Sequence, residues 1–381
     1  MSKISILNVK PIMLDDELVK KEGNFFDVSH YNRIIKTNYD IYGLLEDGTH
    51  KLLLKFRKNV IPDNICNTAF IALEKHAKHK NYNRGAAAGV LNIKKLPAYI
   101  GKITKKDKFR IYYNTHTGKK TNDNVGNMAM SNIAGYYDKP DRNAYLKIQS
   151  KLTKHNNNNK SSNEHNAKYK SNSNNKFTIK NNKRGYDKFG IPLCRTTQFT
   201  TNETQKWHDV LPLIHHADKQ FKTLIPDRHK IQLERAQLTP KFQIDNTAYS
   251  TITLNYDWRT ACHKDSGDFE EGFGNLIVLE KQLNEKHEKH EIHEKSSNKI
   301  SDKRFTGSYI GFPKWGICVD VRQGDFLAMD VHEWHCNTAL KGSGRLSIVC
   351  YLRKNMIQCS AVSPGRRAKI DLAKNGKNSI S

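Results

Sequence analysis

Short segments in which apolar and polar residues alternate dominate the C-terminal part of this 381-residue chain. They are rich in β-branched and aromatic residues, which favour strands, and Gly and Pro separate them. These segments lie at 251–258, 275–281, 315–321, 325–331 and 345–352. A series of short strands of this kind predicts a sandwich or a double-stranded β-helix of the jelly-roll type.

The N-terminal part mixes strand and helix patterns. Residues 3–56 alternate around a turn signal at Asp47-Gly48, which predicts strands and a hairpin. Helical spacing of apolar residues occurs at 67–78, 202–222 and 226–238. Pro212 is expected to break or kink the second of these helices, and 195–200 is expected to be a polar strand. The patterns together predict a mainly β fold with flanking helices (α+β).

Two polar low-complexity tracts interrupt these patterns. Residues 154–184 are dense in Asn, Ser and Lys, a composition that buries too little apolar surface to offset the entropy of ordering. We expect a disordered insertion there, with a basic nucleic-acid-binding segment as the alternative. Residues 284–303 form a charged tract whose regularly spaced histidines could hold a metal, but an exposed loop is the simpler interpretation. Both tracts are expected to be dispensable for chemistry.

The chain carries a formal net charge of +26, with a pI of about 9.6. This balance indicates a polyanionic partner such as nucleic acid, although a composition heavy in Lys and Asn would also produce it. The 7 cysteines include no CxxC pair, which favours a reduced compartment. No long apolar run occurs, so we expect neither a signal peptide nor a membrane span, and an intracellular location, cytoplasmic or nuclear.

An H-x-D triplet follows the first strand of the β-rich part. Side chains two apart on a strand point to the same face, so His263 and Asp265 can reach one metal ion. Two histidines and one carboxylate, with other positions open, are the ligands of non-heme Fe(II) oxygenases. Downstream, His332 and His335 are three residues apart and would face opposite ways in one extended strand. At most one of them should complete the site.

The last predicted strand begins with an arginine. Arg345, Ser347, Tyr351 and Arg353 share one face of this strand, while its apolar residues face the packed side. A polar, positively charged strand face of this kind suits an anionic cosubstrate. The planar donor fork of Arg345 suits a carboxylate in particular, and Arg259, shortly before the H-x-D triplet, is a second candidate for that contact.

From residue 249 to residue 356 the chain resembles the catalytic core of the Fe(II)/2-oxoglutarate dioxygenases of the TET and base-J-binding-protein family. The resemblance is carried, in order, by STITLNYDWRTACHKDSGDFEEGFGNLIVLE, YIGFPKWGICVDVRQGDFLAMDVHEWHCNT and RLSIVCYLR. The segments NRGAAAG, SNIAGYYD and RTTQFT are similar to the family's N-terminal portion more loosely. The two low-complexity tracts depart from the family at positions where loops are expected.

The resemblance implies a jelly-roll that binds one Fe(II) through His263, Asp265 and a distal histidine. His335 is preferred to His332 because of its spacing to Arg345 and its place in the family's Gly-Asp-strand-His pattern. Arg345 would then hold 2-oxoglutarate, and O₂ would be the remaining cosubstrate. The implied reaction hydroxylates the 5-methyl group of a pyrimidine base, which must be flipped out of a duplex to reach the pocket.

Two further residues are expected at the substrate. Asp268 lies where the resembling family has a polar residue that contacts the flipped base, with a turn cap as the alternative role. Tyr351 is the candidate for stacking on that base. A carboxylate accepts from the exocyclic amine of cytosine, which favours 5-methylcytosine slightly. The wider sequence is closer to the thymine-acting branch, so the base stays open.

The resemblance also divides the chain. The predicted parts are an N-terminal part of the oxygenase domain (1–153), a low-complexity insertion (154–184), the jelly-roll catalytic core (185–356, with the loop 284–303) and a basic C-terminal tail (357–381). The leading function is hydroxylation of thymine or 5-methylcytosine in nucleic acid, most simply DNA. The alternatives are a 2-oxoglutarate oxygenase that acts on protein or RNA, and a binding module without catalytic activity.

Overall fold

The computed structural model describes residues 3–82, 84–92, 127–140, 150, 185–186, 191–282 and 305–360. The tracts at 154–184 and 284–303, and the part of the predicted tail beyond residue 360, lie outside these described residues. Within the described ranges no helix is long and apolar enough to cross a membrane. The described segments are mainly strands with a smaller number of helices, which confirms the predicted fold class.

The strands build two larger sheets and one small one. In chain order they are β1 (Ser5–Val9), β2 (Arg33–Ile35), β3 (Tyr39–Leu44), β4 (His50–Arg57), β5 (Ser131–Tyr137), β6 (Arg195–Thr196), β7 (Thr251–Tyr256), β8 (Gly274–Glu280), β9 (Phe305–Gly307), β10 (Ile310–Phe312), β11 (Ile317–Val319), β12 (Phe326–Met329), β13 (Cys336–Asn337), β14 (Leu340–Gly342) and β15 (Arg345–Tyr351). A nine-stranded sheet has the order β1-β3-β4-β12-β8-β15-β7-β5-β6. A four-stranded sheet has the order β13-β10-β11-β2, and β14 pairs with β9.

The two larger sheets face each other across a shared apolar core. Leu276 and Val278 of β8 belong to the same buried cluster as Phe312 of β10 and Val319 of β11. Burial of the inner faces of two sheets against each other is the packing of a jelly-roll. The β3–β4 hairpin predicted at Asp47-Gly48 is present in the large sheet.

Helices cover the outer face of the large sheet. They are α2 (Asp63–Ala77), α3 (Gln198–Asn202), α4 (Thr204–Leu224) and α5 (Pro226–Gln237). The first helix, α1 (Asp15–Lys20), instead buries Leu18 in a separate cluster with Cys318 of β11. A second buried cluster joins Leu73 of α2 and Leu213 of α4 to Ile277 of β8 and Ile348 of β15. The strand β15 therefore buries one face under the helices and turns its other face to the interior of the jelly-roll.

Two local predictions were wrong. Helix α4 runs unbroken through Pro212, because its inward residues, among them Val210 and Ile214, are fully buried and their packing outweighs the lost backbone hydrogen bond. The strand predicted at 195–200 is only the two-residue β6. Thr197 then caps the N-terminus of α3, its hydroxyl accepting from the backbone N–H of Thr200, and the chain turns into a helix.

One disulfide joins Cys194 to Cys359, which are 165 residues apart in sequence. This bond differs from the reduced thiols that the cysteine spacing predicts. Two cysteines so far apart in sequence form no local motif, so the spacing does not reveal the pair. The five other cysteines are free and buried. The disulfide ties the segment before β6 to the 3₁₀ helix at Lys354–Cys359, which follows β15.

Gly43 in β3 should be intolerant of substitution, because the ring of the fully buried Trp315 packs directly on it. A Cβ at this position would lie 2.5 Å from a carbon of that ring. We expect Gly43→Ala to lower the free energy of unfolding by about 1–3 kcal/mol, measured by equilibrium urea unfolding. Ile6→Ala in β1, whose side chain is 71% exposed, is the control and should change it by less than about 0.5 kcal/mol. Equal values for both variants would contradict this packing.

Candidate metal centre and its pocket

A short antiparallel bridge brings the H-x-D segment to the strand that carries the distal histidine. The backbone N–H of His263 donates to the carbonyl of His335 at 3.1 Å, and the N–H of His335 donates back at 3.0 Å. The N–H of Asp265 donates to the carbonyl of Val331 at 3.0 Å. Three backbone hydrogen bonds therefore fix the relative positions of all three predicted ligands.

The side chains of these three residues converge. Ligand atoms of His263, Asp265 and His335 all lie within 4.8 Å of one another. The Nε2 atoms of His263 and His335 lie 3.5 and 3.7 Å from the two carboxylate oxygens of Asp265. Two imidazoles and one carboxylate in this arrangement suit Fe(II), with coordination positions left for other ligands.

Backbone carbonyls orient both imidazole rings. Nδ1 of His263 lies 2.8 Å from the carbonyl of Ala261, and Nδ1 of His335 lies 2.9 Å from that of Glu333. A proton on each Nδ1 leaves the lone pair on Nε2 for a metal. Burial lowers the pKa of His335 to about 4, so its ring is neutral near pH 7.

The Asp265 carboxylate stays ionised despite its surroundings. Burial acts to raise its pKa, but the neighbouring His263 and His335 and the guanidinium of Arg84 outweigh that effect, so the pKa is lowered. An ionised carboxylate and two imidazoles therefore converge at this point, and this donor set favours a bound cation.

His332 lies apart from this cluster. Its Nδ1 is 3.2 Å from a carboxylate oxygen of Asp330, and its backbone N–H donates to the same oxygen at 3.0 Å. The Asp330 hydrogen bond raises the pKa of His332. Because residues 331–334 form a turn rather than an extended strand, the two histidines do not simply alternate, and His335 is the one beside Asp265.

Within the described part of the chain, no carboxylate contacts the buried guanidinium of Arg345. Arg345 is 2% exposed, its Nε atom has no hydrogen-bond partner among the described residues, and its guanidinium lies 6.0 Å from the ring centroid of Phe305. Burial lowers its pKa to about 10, and the charge of Arg322 acts in the same direction. A buried guanidinium in this state favours an anionic ligand. Arg259, by contrast, binds the carbonyls of Phe26 and Asn337.

A cavity of about 400 Å³ opens beside the metal ligands. The face of β15 that is turned to the interior of the jelly-roll forms one wall of it. The lining includes His263, Asp265, His335, Asp268, Ser347, Val349, Tyr351, Arg353, Arg84 and Tyr137. Arg345 lies two residues before Ser347, and side chains two apart on a strand point to the same face. Arg345 therefore extends the face of β15 that lines the cavity.

Both predicted substrate residues belong to this cavity. Asp268 is 7% exposed, and burial raises its pKa well above the usual range for a carboxyl. No capping hydrogen bond from its side chain occurs among the described residues, which leaves the carboxyl available in the cavity. The Tyr351 hydroxyl lies 3.2 Å from Oγ1 of Thr253 and 3.4 Å from Nη1 of Arg353.

Sequence reasoning missed two cavity residues from the N-terminal half. Arg84 lies deep in the cavity, and its Nε donates to the hydroxyl of Ser131 at 2.5 Å. Tyr137 ends β5, which pairs with β7 and so reaches the same opening. The segments that contain them, NRGAAAG and SNIAGYYD, carry no local pattern that marks a site residue, because contacts between distant parts of the chain bring Arg84 and Tyr137 to the cavity.

The third ligand can be tested by metal binding. We expect His335→Ala to weaken Fe(II) binding by more than about 100-fold, because a direct ligand is lost, and His332→Ala to weaken it by about tenfold or less. The measurement is an anaerobic Fe(II) titration of each purified variant. The opposite ranking would assign the ligand to His332.

Comparison with known proteins identifies the oxygenase domain. Residues 184–354 match the TET/JBP model, described as the oxygenase domain of the 2OGFeDO superfamily. Thymine dioxygenase JBP1 of Trypanosoma brucei brucei is 30% identical over 202 residues, covering 51% of this chain and 21% of that protein. The bifunctional helicase and thymine dioxygenase JBP2 of Leishmania tarentolae is 30% identical over 168 residues, 43% of this chain and 13% of that protein.

The chain thus spans about a fifth or less of the length of these relatives. A solved structure titled NgTET1 in complex with 5mC DNA covers 95% of this chain and 100% of its own, at 11% identity and a TM-score of 0.40, which is too low to bear on the fold. The family match and the curated relatives agree with each other. Residues 184–354 are therefore similar to the oxygenase domain of the TET/JBP family.

Proposed function

We propose that this protein hydroxylates the 5-methyl group of a pyrimidine base in DNA, with Fe(II), 2-oxoglutarate and O₂, and that thymine is the preferred base. The observation that carries the proposal is the His263–Asp265–His335 cluster in a cavity whose wall is the β15 face of the buried Arg345, the Nε of which has no hydrogen-bond partner among the described residues. The preference for thymine rests on the relatives, which are named thymine dioxygenases.

The donor set fits the cofactor and cosubstrate. Nε2 of His263, Nε2 of His335 and the carboxylate of Asp265 would hold Fe(II) on one side. The guanidinium of Arg345 would pair with the far carboxylate of 2-oxoglutarate. When bound, Fe(II) with 2-oxoglutarate and O₂ supplies the oxidising chemistry that converts a methyl group to a hydroxymethyl group. The protein supplies ligands, orientation and a cavity that limits access of water.

Asp268 supplies hydrogen bonds to the base edge. Because burial raises its pKa, its carboxyl can be protonated, and it then has one donor and one acceptor. The donor matches O4 of thymine and the acceptor matches the N3–H of thymine. A protonated carboxyl therefore removes the slight preference for cytosine that an ionised, acceptor-only carboxylate would give.

Nucleoside mass spectrometry tests the function directly. The protein is incubated with Fe(II), 2-oxoglutarate and DNA duplexes that contain either thymine alone or added 5-methylcytosine. We expect 5-hydroxymethyluracil from the first duplex, and no product without 2-oxoglutarate or with His335→Ala. Succinate formed only with RNA or peptide would move the substrate to the alternative class of oxygenase.

Arg345 should determine affinity for 2-oxoglutarate. We expect Arg345→Ala to weaken 2-oxoglutarate binding by about 10–100-fold, because charge-assisted hydrogen bonds to a buried carboxylate are lost. Arg345→Lys should recover only part of this, since Lys lacks the planar fork. Calorimetry with Mn(II) in place of Fe(II) measures the affinities. Arg259→Ala is the control, because that arginine has other partners, and an unchanged affinity in Arg345→Ala would refute the assignment.

Substitution of Asp268 should lower hydroxylation of the base and leave the affinity for 2-oxoglutarate unchanged. We expect Asp268→Ala to lower hydroxylation of thymine in DNA by about 10–100-fold, because one donor and one acceptor are removed from a buried site. Asp268→Asn keeps one donor and one acceptor and should retain much of the activity. Product formation and 2-oxoglutarate affinity are measured together. If Asn is as damaging as Ala, the protonated carboxyl is not the recognising species.

A further inference from the structure

Three cations surround one tyrosine ring at the mouth of the cavity. The side-chain nitrogen of Lys139 lies 5.7 Å from the ring centroid of Tyr137. The guanidinium carbons of Arg195 and Arg353 lie 5.6 and 4.7 Å from the same centroid. We call these four residues the Tyr137 cation cluster.

The cluster contains more positive charge than the protein neutralises. Among the described residues only one carboxylate contacts it, that of Asp138, which accepts from Nε of Arg353 at 2.5 Å. Neither Lys139 nor Arg195 has a carboxylate partner in that part of the chain. At these separations the charges repel each other, and salt screens that repulsion incompletely. The uncompensated charge favours an anion from outside the chain.

The backbone holds the cluster in place. Tyr137 of β5 pairs with Arg195 of β6 in antiparallel register. Nε of Arg195 donates to the carbonyl of Lys139 at 3.3 Å. Because this pairing fixes the backbone at Arg195 and just before Lys139, ordering these cations around a ligand costs less conformational entropy than it would on an unpaired loop.

The position of the cluster identifies the part of the ligand that it contacts. Tyr137, Lys139 and Arg353 line the cavity, and Arg353 also reaches the hydroxyl of Tyr351 inside it. Because cations cover the Tyr137 ring, that ring is unsuited to stacking on a base. A group with several anionic oxygens, located just outside the cavity, fits these donors.

We infer that the Tyr137 cation cluster binds the phosphodiester beside the nucleotide whose base enters the cavity. The inference rests on the proposed function for the nature of the ligand. A phosphodiester offers two anionic oxygens to donors that come from separate segments of the chain, and it is the group that immediately adjoins a flipped base. Lys139 and Arg195 would then position the strand, while Asp268 contacts the base.

The test is the salt dependence of DNA binding, measured by fluorescence anisotropy without iron or 2-oxoglutarate. The probe is a labelled DNA duplex with a central mismatched thymine, which lowers the cost of flipping. Each neutralised phosphate contributes about 0.9 to the slope of log affinity against log salt. We expect Lys139→Ala and Arg195→Ala each to reduce that slope by about one, and the double variant by about two. Lys139→Arg keeps the charge and should keep the slope.

Lys78→Ala is the matched control. Lys78 also lies over a tyrosine ring, 4.8 Å from the centroid of Tyr256, but it pairs with Glu74 and lies outside the cavity. Its removal should leave the slope unchanged. A double variant that melts at the wild-type temperature and keeps the wild-type slope would overturn the inference, as would wild-type protein that does not bind the duplex.

The outcome is separable from that of the proposed function. Reduced slopes support the cluster even if the wild-type protein modifies no base, in which case only the proposed reaction fails. Hydroxylation of thymine by a protein whose slope is insensitive to Lys139 and Arg195 supports the reaction and refutes the cluster.

Discussion

The paired backbone hydrogen bonds between His263 and His335 hold the candidate site together. They connect a loop that follows β7 in the nine-stranded sheet to the start of β13 in the four-stranded sheet, so these two sheets meet at the candidate metal ligands. In both histidines of this bridge, the imidazole Nδ1 also lies within hydrogen-bond distance of a nearby backbone carbonyl. Backbone pairing and ring orientation are thus set by the same short segments, and the side chains need little reorganisation to bind a metal.

Three polar groups that lack a full electrostatic partner lie where the cosubstrate, the base and the phosphate would bind. Among the described residues, no carboxylate contacts Arg345, burial raises the pKa of Asp268, and the cations around Tyr137 outnumber the carboxylate of Asp138. The buried charge of Arg345 costs stability in the protein alone, and the clustered cations around Tyr137 repel one another. A cosubstrate carboxylate, a base edge and a phosphate would each relieve one of these three arrangements. The electrostatics therefore favour an anionic, multi-part ligand over a neutral one.

The sequence predicted those features that local periodicity encodes. Strict alternation placed Ser347 and Tyr351 on the cavity side of β15 and Ile348 under the helices, as the structure has them. Turn geometry is not periodic, so the choice between His332 and His335 needed the resemblance to a known family. Arg84 lies in a loop and reaches the cavity beside Ser131 of β5, a contact between residues 47 apart that leaves no trace in local sequence. The unbroken α4 reflects tertiary packing that overrides the local effect of a proline.

The disulfide explains how the crowded cations at the cavity mouth stay together. Cys194 directly precedes Arg195, and Cys359 ends the 3₁₀ helix that begins after Arg353. Gln358, beside Cys359, donates to the backbone carbonyl of Asp138 at 3.0 Å. Mutual repulsion would be relieved most easily if these segments moved apart, and the covalent link opposes that movement. The cations therefore keep a geometry that a phosphate can bridge before any ligand has arrived.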